Sequence, residues 1–461
     1  MPANQRKILV DSVARLLRRG ATRNLEKILD RTHAADIAWV MGQLRDADDR
    51  FRVYQLITDD DTRAETIAEA TPEVQREILG RLEDEEILDV LGNLFADDAA
   101  DIIEVLDDER ASRVLSAWKG EDSVNVDQLL NYEADTAGGI MSPDFFALPE
   151  DTTVAEAIAT LQASHEELEM VFYLYVVSDL GQLIGVCSLR QLVVSRPDQL
   201  LRDICETDVV TVTTHTDQEE VARLVARYNL LALPVVDDNK ALVGIVTVDD
   251  VIDVLREEAT EDIFKMAGAG AEAFADTVTV GRSVRARMPW LFASFVAGTF
   301  SMFVIGSFQD AIEQIAALAA FIPITLGMGG NAGTQSATIM VRGLALGRVP
   351  SGQIATVIGR EIAVGAVGGA GYGALLAILA WALFGRTAAV EPWTILQLAG
   401  TVSLSVVCCM TVAAAIGACV PLLFQRVGVD PAVATNPIVT TTTDAIGVCI
   451  FFVIATMLLP L

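Results

Sequence analysis

The chain is poor in the residues that build thiol and imidazole centres. Its 461 residues hold three histidines, His33, His165 and His215, and six cysteines, Cys187, Cys205, Cys408, Cys409, Cys419 and Cys449. The histidines are far apart and no cysteines take a C-x-x-C spacing, which excludes a zinc signature and a disulfide framework. Four of the cysteines lie in apolar stretches, where a thiol behaves as a small hydrophobe. Basic residues are also scarce: 33 against 63 acidic ones give a net charge of -30. That sign repels nucleic acid and anionic lipid headgroups, so no nucleic-acid partner is expected. The soluble half has no nucleophile–base pair, phosphate-binding glycine loop or metal triad, so no enzyme is expected. The stretch MPANQRKILVDSVARLLRRG lacks the apolar core of a signal peptide, which places the following half in the cytoplasm.

A positive mean hydropathy of +0.41 is compatible with this charge only if the two are segregated. They are. Residues 1–281 carry a net of -32, and residues 282–461 a net of +2. Bunched carboxylates are hard oxygen donors that attract divalent cations, but an acidic surface also serves solubility, and charge alone does not choose.

Beyond Arg287 the uncharged stretches are long: 288–309, 314–341, 362–385 and 392–425, then 433–460 with Asp444 alone. A spanning helix needs about 20 apolar residues, so the reading is five spans. The 392–425 stretch is one long helix or includes a re-entrant piece. With the N-terminus inside, the inner flanks hold Arg282, Arg285, Arg287, Arg342, Arg348, Arg360 and Arg426, and the outer loops only Arg386. This bias predicts a multi-pass protein of the cell membrane with cytoplasmic N-terminal domains and the C-terminus outside. Gly365, Gly368, Gly369, Gly371 and Gly373 read as close-packing positions between helices.

Two apolar segments carry more than packing. Pro323 to Gln335, PITLGMGGNAGTQ, combines a helix breaker, four glycines, Asn331, Thr334 and Gln335. It predicts a broken or loosened helix, tolerated in a membrane only where it is buried in protein or lines water. Asn436 to Gly447, NPIVTTTTDAIG, ends its polar run on Asp444, the twelfth residue of a 28-residue span and therefore near mid-membrane. A carboxylate there costs several kcal/mol unless it meets water, a cation or a partner. Hydroxyls, amides and one carboxylate form a donor set for a hard cation or its water shell. Proton relay and an internally hydrogen-bonded acid are the alternatives.

In the soluble half, residues 1–133 repeat apolar positions three and four apart, as in VQREILGRL and EEILDVLGNL, predicting a stack of short helices. An internal repeat follows. Tyr173 to Val193 matches Ala232 to Ile252 at an offset of 59, pairing Val176 with Val235, Gly185 with Gly244 and Ser188 with Thr247. Each unit reads as strand, turn, strand, helix, and two units form a pseudo-symmetric pair. The segment EEATEDIFKMAGAGAEAF predicts a linker helix beside the membrane, either a transmitter or a passive stalk.

These motifs carry a resemblance. YEADTAGGIMSP, ARYNLLALPVVDD, EATEDIFKMAG, PITLGMGGNAGTQ and VDPAVATNPIVTTTTDAIG together resemble the bacterial magnesium transporter MgtE family over nearly the whole chain. The implied architecture is a multidomain membrane protein: an all-α superhelical N-domain (1–133), an α/β tandem CBS pair (134–200 and 201–257), a linker or plug helix (258–287) and a five-helix transmembrane bundle (288–461). The resemblance implies a homodimer in membrane lipid with a magnesium channel on the dimer axis, lined by the second and fifth spans. It implies a pore site at Asp444 with Asn331, Gly333 and Thr334. It also implies regulatory magnesium on Asp98, Asp250, Asp253, Glu258, Glu261 and Asp262, which holds the channel shut. Some members bind ATP in the CBS pair. Asn229 and Asn436 depart from the family pattern. An ion-coupled divalent-cation carrier and a nucleotide-sensing scaffold without transport remain as alternatives.

Overall fold

The computed structural model of the chain describes residues 3–119, 121–163, 171–269, 280–314, 317–345, 348–349, 351–384, 392–434 and 438–459. It divides into two compact units, residues 1–257 and 258–461.

The first unit begins with ten helices between Ala3 and Leu129, of 8 to 17 residues. Aspartates at Asp46, Asp59 and Asp107 start three of them, each accepting a backbone N–H within the first turn. Pro72 sits in the first turn of another, where its missing N–H costs nothing. The apolar periodicity is buried as predicted: Ile37, Ile67, Ile78, Ile87 and Leu91 are fully enclosed. Each such side chain contributes about 2 kcal/mol of transfer free energy.

Two three-stranded sheets follow, β1 (Ala147–Pro149), β2 (Tyr173–Val177) and β3 (Leu183–Ser188), then β4 (Val212–Thr213), β5 (Ala232–Val236) and β6 (Leu242–Thr247). The internal repeat is a structural repeat. β2 and β3 pair antiparallel with Val176 opposite Gly185, and β5 and β6 pair with Val235 opposite Gly244. Both glycines are required. A Cβ on Gly185 would meet Cys205 Sγ at 2.7 Å, and one on Gly244 would meet Met141 Sδ at 2.6 Å. Tyr175, Ala232, Leu242 and Ile245 are buried together between the repeats. Asn229 caps the Gln218–Tyr228 helix in the left-handed conformation, φ +53°, a role asparagine fills readily.

The second unit contains the C-terminal half of the linker helix, Val248–Ala267, and five helices of 19 to 36 residues. Four are long and apolar enough to cross a membrane: Val280–Ser307, Ile354–Phe384, Ile395–Val427 and Thr440–Leu458. The fifth, Ala317–Ala345, has the length, but its glycines and polar side chains dilute its hydropathy. Five apolar spans were expected and four are found among the described residues. The 392–425 stretch resolves as part of one helix, Pro392–Val427, with Pro421 inside it. Gly365, Gly369 and Gly373 form a stripe on the Ile354–Phe384 helix. Added Cβ atoms there would meet the backbone of the long helix at Met410, Val407 and Ser403, at 2.7–2.8 Å. For these three the packing reading holds.

Candidate functional site

The Ala317–Ala345 helix, the polar helix from here on, is continuous through PITLGMGGNAGTQ rather than broken. Pro323 lies in its second turn, where few carbonyls are displaced, so the glycines serve contact rather than kinking. A Cβ on Gly333 would stand 3.0 Å from Val439 Cγ1 and 3.1 Å from Thr443 Cγ2. On the long helix, a Cβ on Gly417 would fall 2.1 Å from the Gly333 carbonyl oxygen, so only glycine fits that crossing.

Gly330 lies one turn before Gly333 on the polar helix and faces Asp444. Its missing Cβ would be 3.6 Å from Asp444 Oδ1. The hydroxyls of Thr334 and Thr440 meet at 3.2 Å, and Thr440 precedes Asp444 by one turn. The structure thus brings Gly333, Thr334 and Asp444 onto one helix–helix face, all buried or half-buried. Asn331 does not join them. It is exposed, on a stripe with Gly327, Gln335 and Thr338. Asp444 is the fifth residue of the Thr440–Leu458 helix, and the residue before that helix, Val439, already has helical backbone angles. Asn436 lies outside the described residues.

Sequence reasoning missed Glu361. It lies just before the uncharged 362–385 stretch and was not singled out, yet the helix starts at Ile354 and buries Glu361 to 3 % exposure. Ser336 Oγ donates to its Oε2 at 3.1 Å, and Arg360 Nη2 lies 3.5 Å from its Oε1. The available signal was the glutamate's position ahead of the Gly365, Gly369, Gly373 stripe, whose periodicity extends back to residue 361.

In the first unit Asp98 and Asp250 do come together. The Ala96–Val105 helix brings Asp97, Asp98 and Asp101, and the start of the linker helix brings Asp249 and Asp250. Burial, then Asp97, Asp101, Glu69 and Asp249, push the Asp98 carboxyl up to about 7. Burial also dominates at Asp250, raised to about 7 against a hydrogen bond from Thr247 and with Asp97, Asp249 and Asp98 adding to it. Burial, Glu104, Asp97 and Glu257 raise Asp101 to about 6. Like charges in low dielectric resist joint ionisation, so the cluster lacks a cation's worth of charge near neutral pH. Among the described residues no three His, Cys, Asp or Glu side chains are placed to hold one ion directly. Asp253 stands apart, exposed and 3.1 Å from Arg256.

Glu258, Glu261 and Asp262 lie further along the linker helix and are half-buried. Glu261 is held by a lysine: Lys265 Nζ lies 2.8 Å from Glu261 Oε1 and 2.8 Å from Asp430 Oδ2. Burial acts to lower the Lys265 ammonium, but the hydrogen bonds to Asp430 and Glu261 outweigh it and hold it above the ordinary lysine range. Asp430 Oδ1 also accepts from Ala432 N–H, at the start of the short Pro431–Ala434 turn.

Comparison with known proteins bears on what this arrangement is for. Residues 322–454 match a family model described as a divalent cation transporter, residues 32–135 an MgtE intracellular N domain, and residues 137–196 and 201–257 the CBS domain. The magnesium transporter MgtE of Bacillus subtilis is 35% identical over 96% of this chain and 95% of its own length. That of Thermus thermophilus is 35% identical over 98% of each. The chain belongs to the MgtE family. A crystal structure of the cytosolic domain of the Mg2+ channel MgtE in complex with ATP has 38% identity and a TM-score of 0.51, covering 53% of this chain and 99% of that one. The soluble part of a magnesium transporter gives 30% identity and a TM-score of 0.50, covering 55% and 99%. Membership makes the chain a non-catalytic multi-pass transporter with intracellular N-terminal domains. The MgtE transporter match contains Gly333, Thr334, Glu361 and Asp444, the N-domain match contains Asp97, Asp98 and Asp101, and the second CBS match contains Asp249 and Asp250. Glu258, Glu261 and Asp262 fall between the matched regions.

Proposed function

We propose that the chain is a magnesium-selective, gated channel for Mg2+ uptake, closed when cytosolic magnesium binds its acidic first unit. Asp444 packed against the bare backbone of Gly330 is the observation that carries the reading. A carboxyl inside a membrane bundle, with Thr334 and Thr440 hydroxyls one turn away, supplies oxygen donors where a partly hydrated divalent ion can pass. The exposed stripe of Asn331, Gln335 and Thr338 does not suit lipid. It fits a water-lined path between two copies of the chain, with all five long helices spanning and the C-terminus outside.

For the gate, cytosolic magnesium supplies the positive charge that the Asp98, Asp101 and Asp250 group lacks, through its water shell or after closure of the group. Bound ions then favour the closed state to the extent that they bind it more tightly than the open one. The ATP complex of the relative supports nucleotide binding by this CBS pair as well.

Flux in proteoliposomes with internal and external magnesium varied independently tests both parts. Uptake that falls as magnesium rises on the cytoplasmic side is expected; uptake indifferent to it removes the gate. A second reading, an ion-coupled divalent-cation carrier, draws on Glu361, a titratable group inside the bundle. Magnesium flux that persists with proton and sodium gradients collapsed excludes it.

A further inference from the structure

Glu361 has no part in the ion path described above, and it is expensive to keep. A buried acid inside a membrane bundle is tolerated only with partners, and an apolar side chain of the same size packs there without that cost. Its partners are specific. One carboxyl oxygen accepts from Ser336 on the polar helix at 3.1 Å, and the other faces Arg360 at 3.5 Å. Ser336 is itself 4 % exposed.

Ser336 follows Thr334 by two residues, which on a helix is a rotation of about 200°. Thr334 meets Thr440 of the terminal helix. Measured from the middle of the face that Gly330, Gly333 and Thr334 turn to Asp444's helix, Ser336 lies about 110° round, so Glu361 holds the polar helix from a different side. In the middle of that helix the fit is largely by backbone: Gly333 crosses Gly417 and packs against Val439 and Thr443. Gly327, Gly329, Gly330 and Gly333 offer no side chains, so directional polar contacts from this stretch come from the hydroxyls of Thr334 and Ser336. Registry is also the best-attested use of a buried polar group.

We infer that Glu361 is a positioning residue for transport: through Ser336 it sets the rotation of the polar helix, so that Gly330, Gly333 and Thr334 face Thr440 and Asp444. The inference rests on the channel reading for its consequence, but the geometry is testable without transport.

In the full-length chain carrying Thr334→Cys and Thr440→Cys, mild oxidation in membranes followed by peptide mapping measures the disulfide between these two positions. Adding Ser336→Ala or Glu361→Leu lowers its yield about fivefold, the scale of one interhelical hydrogen bond in a membrane. Adding Glu361→Gln, whose amide oxygen still accepts from Ser336, restores most of the yield. In chains with native threonines, the same Ser336→Ala and Glu361→Leu changes shift the ratio of magnesium to calcium flux, which does not depend on how much protein folds. Glu361→Gln brings that ratio back towards the parent value. Cross-linking unaffected by both Ser336→Ala and Glu361→Leu overturns the inference. So does a flux that falls in step with folded protein at an unchanged ion ratio, since that marks a purely structural role. If the parent chain passes no divalent cation, the channel reading fails, and the cross-linking arm still decides whether Glu361 positions the helix.

Discussion

The two units use carboxyl groups in opposite ways. The first gathers them: Asp97, Asp98, Asp101, Asp249 and Asp250 converge from two helices and oppose one another's ionisation. The second has few and seats them singly, Asp444 against the Gly330 backbone and Glu361 against a serine hydroxyl. Partly buried acids crowded together outside a membrane can stay partly protonated, and their mutual repulsion makes them responsive to cations. Inside a membrane each acid needs its own accommodation, so position replaces number. A sensor built from the first arrangement is graded and redundant. A path built from the second fails at a single residue.

That contrast breaks most sharply at Asp444. Asp444→Ala is expected to lower magnesium flux in liposomes at least about a hundredfold, since a partly desolvated divalent ion loses its one charged donor. Flux at the parent level would remove the site. Next comes the crossing beneath it. Gly417→Val places a side chain where the Gly333 carbonyl oxygen already stands, and overpacking of this kind costs about 1–3 kcal/mol or more. The expected result is a large loss of folded protein in detergent, read by size exclusion after heating, whereas Gly371→Ala, whose Cβ meets nothing, leaves the melting profile unchanged.

The legibility of the chain follows the same division. Helical stacking and the 59-residue repeat were plain because apolar periodicity and strand pairing are local, and β2–β3 superimposes on β5–β6 in register. The pore segments were visible as polar residues in apolar stretches. What they do to the backbone was not: Pro323 near a helix start is absorbed, and the helix runs on unbroken through the four glycines. Glu361 was hidden because a charge beside Arg360 looks like a membrane edge until the third dimension buries it. The acidic group was half legible. Asp98 and Asp250 meet, while Asp253 is exposed and pairs with Arg256 one turn further along the linker helix.

The gathered acids are the place for the intermediate effects. Asp98→Asn with Asp250→Asn removes two of the repelling charges, and closure by cytosolic magnesium in patch recordings is expected to need about tenfold more of the ion. Unchanged closure would leave the group without a regulatory role. The same charges set a pH dependence. Asp98 and Asp250 ionise at about 7 and Asp101 at about 6 in the fold, against about 4 in an unfolded chain. The folded form binds the extra protons, so this contribution is full below pH 4 and is lost as the pH rises through 7. Without magnesium, amide protection of the Ala96–Val105 helix, corrected for intrinsic exchange, should fall about fivefold from pH 5 to pH 8. Added magnesium or the double asparagine variant should flatten the slope, and a rise in protection with pH would contradict the assignment.

The smallest effect sharpens the comparison at Lys265, where the second unit meets a small gathering of acids with its own cation. Its ammonium bridges Glu261 of the linker helix and Asp430 of the turn preceding the terminal helix, each at 2.8 Å. All three side chains are about a third exposed, so solvent screens the pairs and each is worth about 1 kcal/mol or less. Lys265→Met keeps the helical stem but leaves the two carboxylates facing each other without the bridge. A divalent ion can then do what the ammonium did, so the contact becomes dependent on magnesium. The expected outcome is a rise of about two- to threefold in the magnesium needed for closure. Lys265→Arg, which retains a cation of similar reach, should stay near the parent. A Lys265→Met chain that closes at the parent concentration would mean that the ammonium only decorates a contact held by packing.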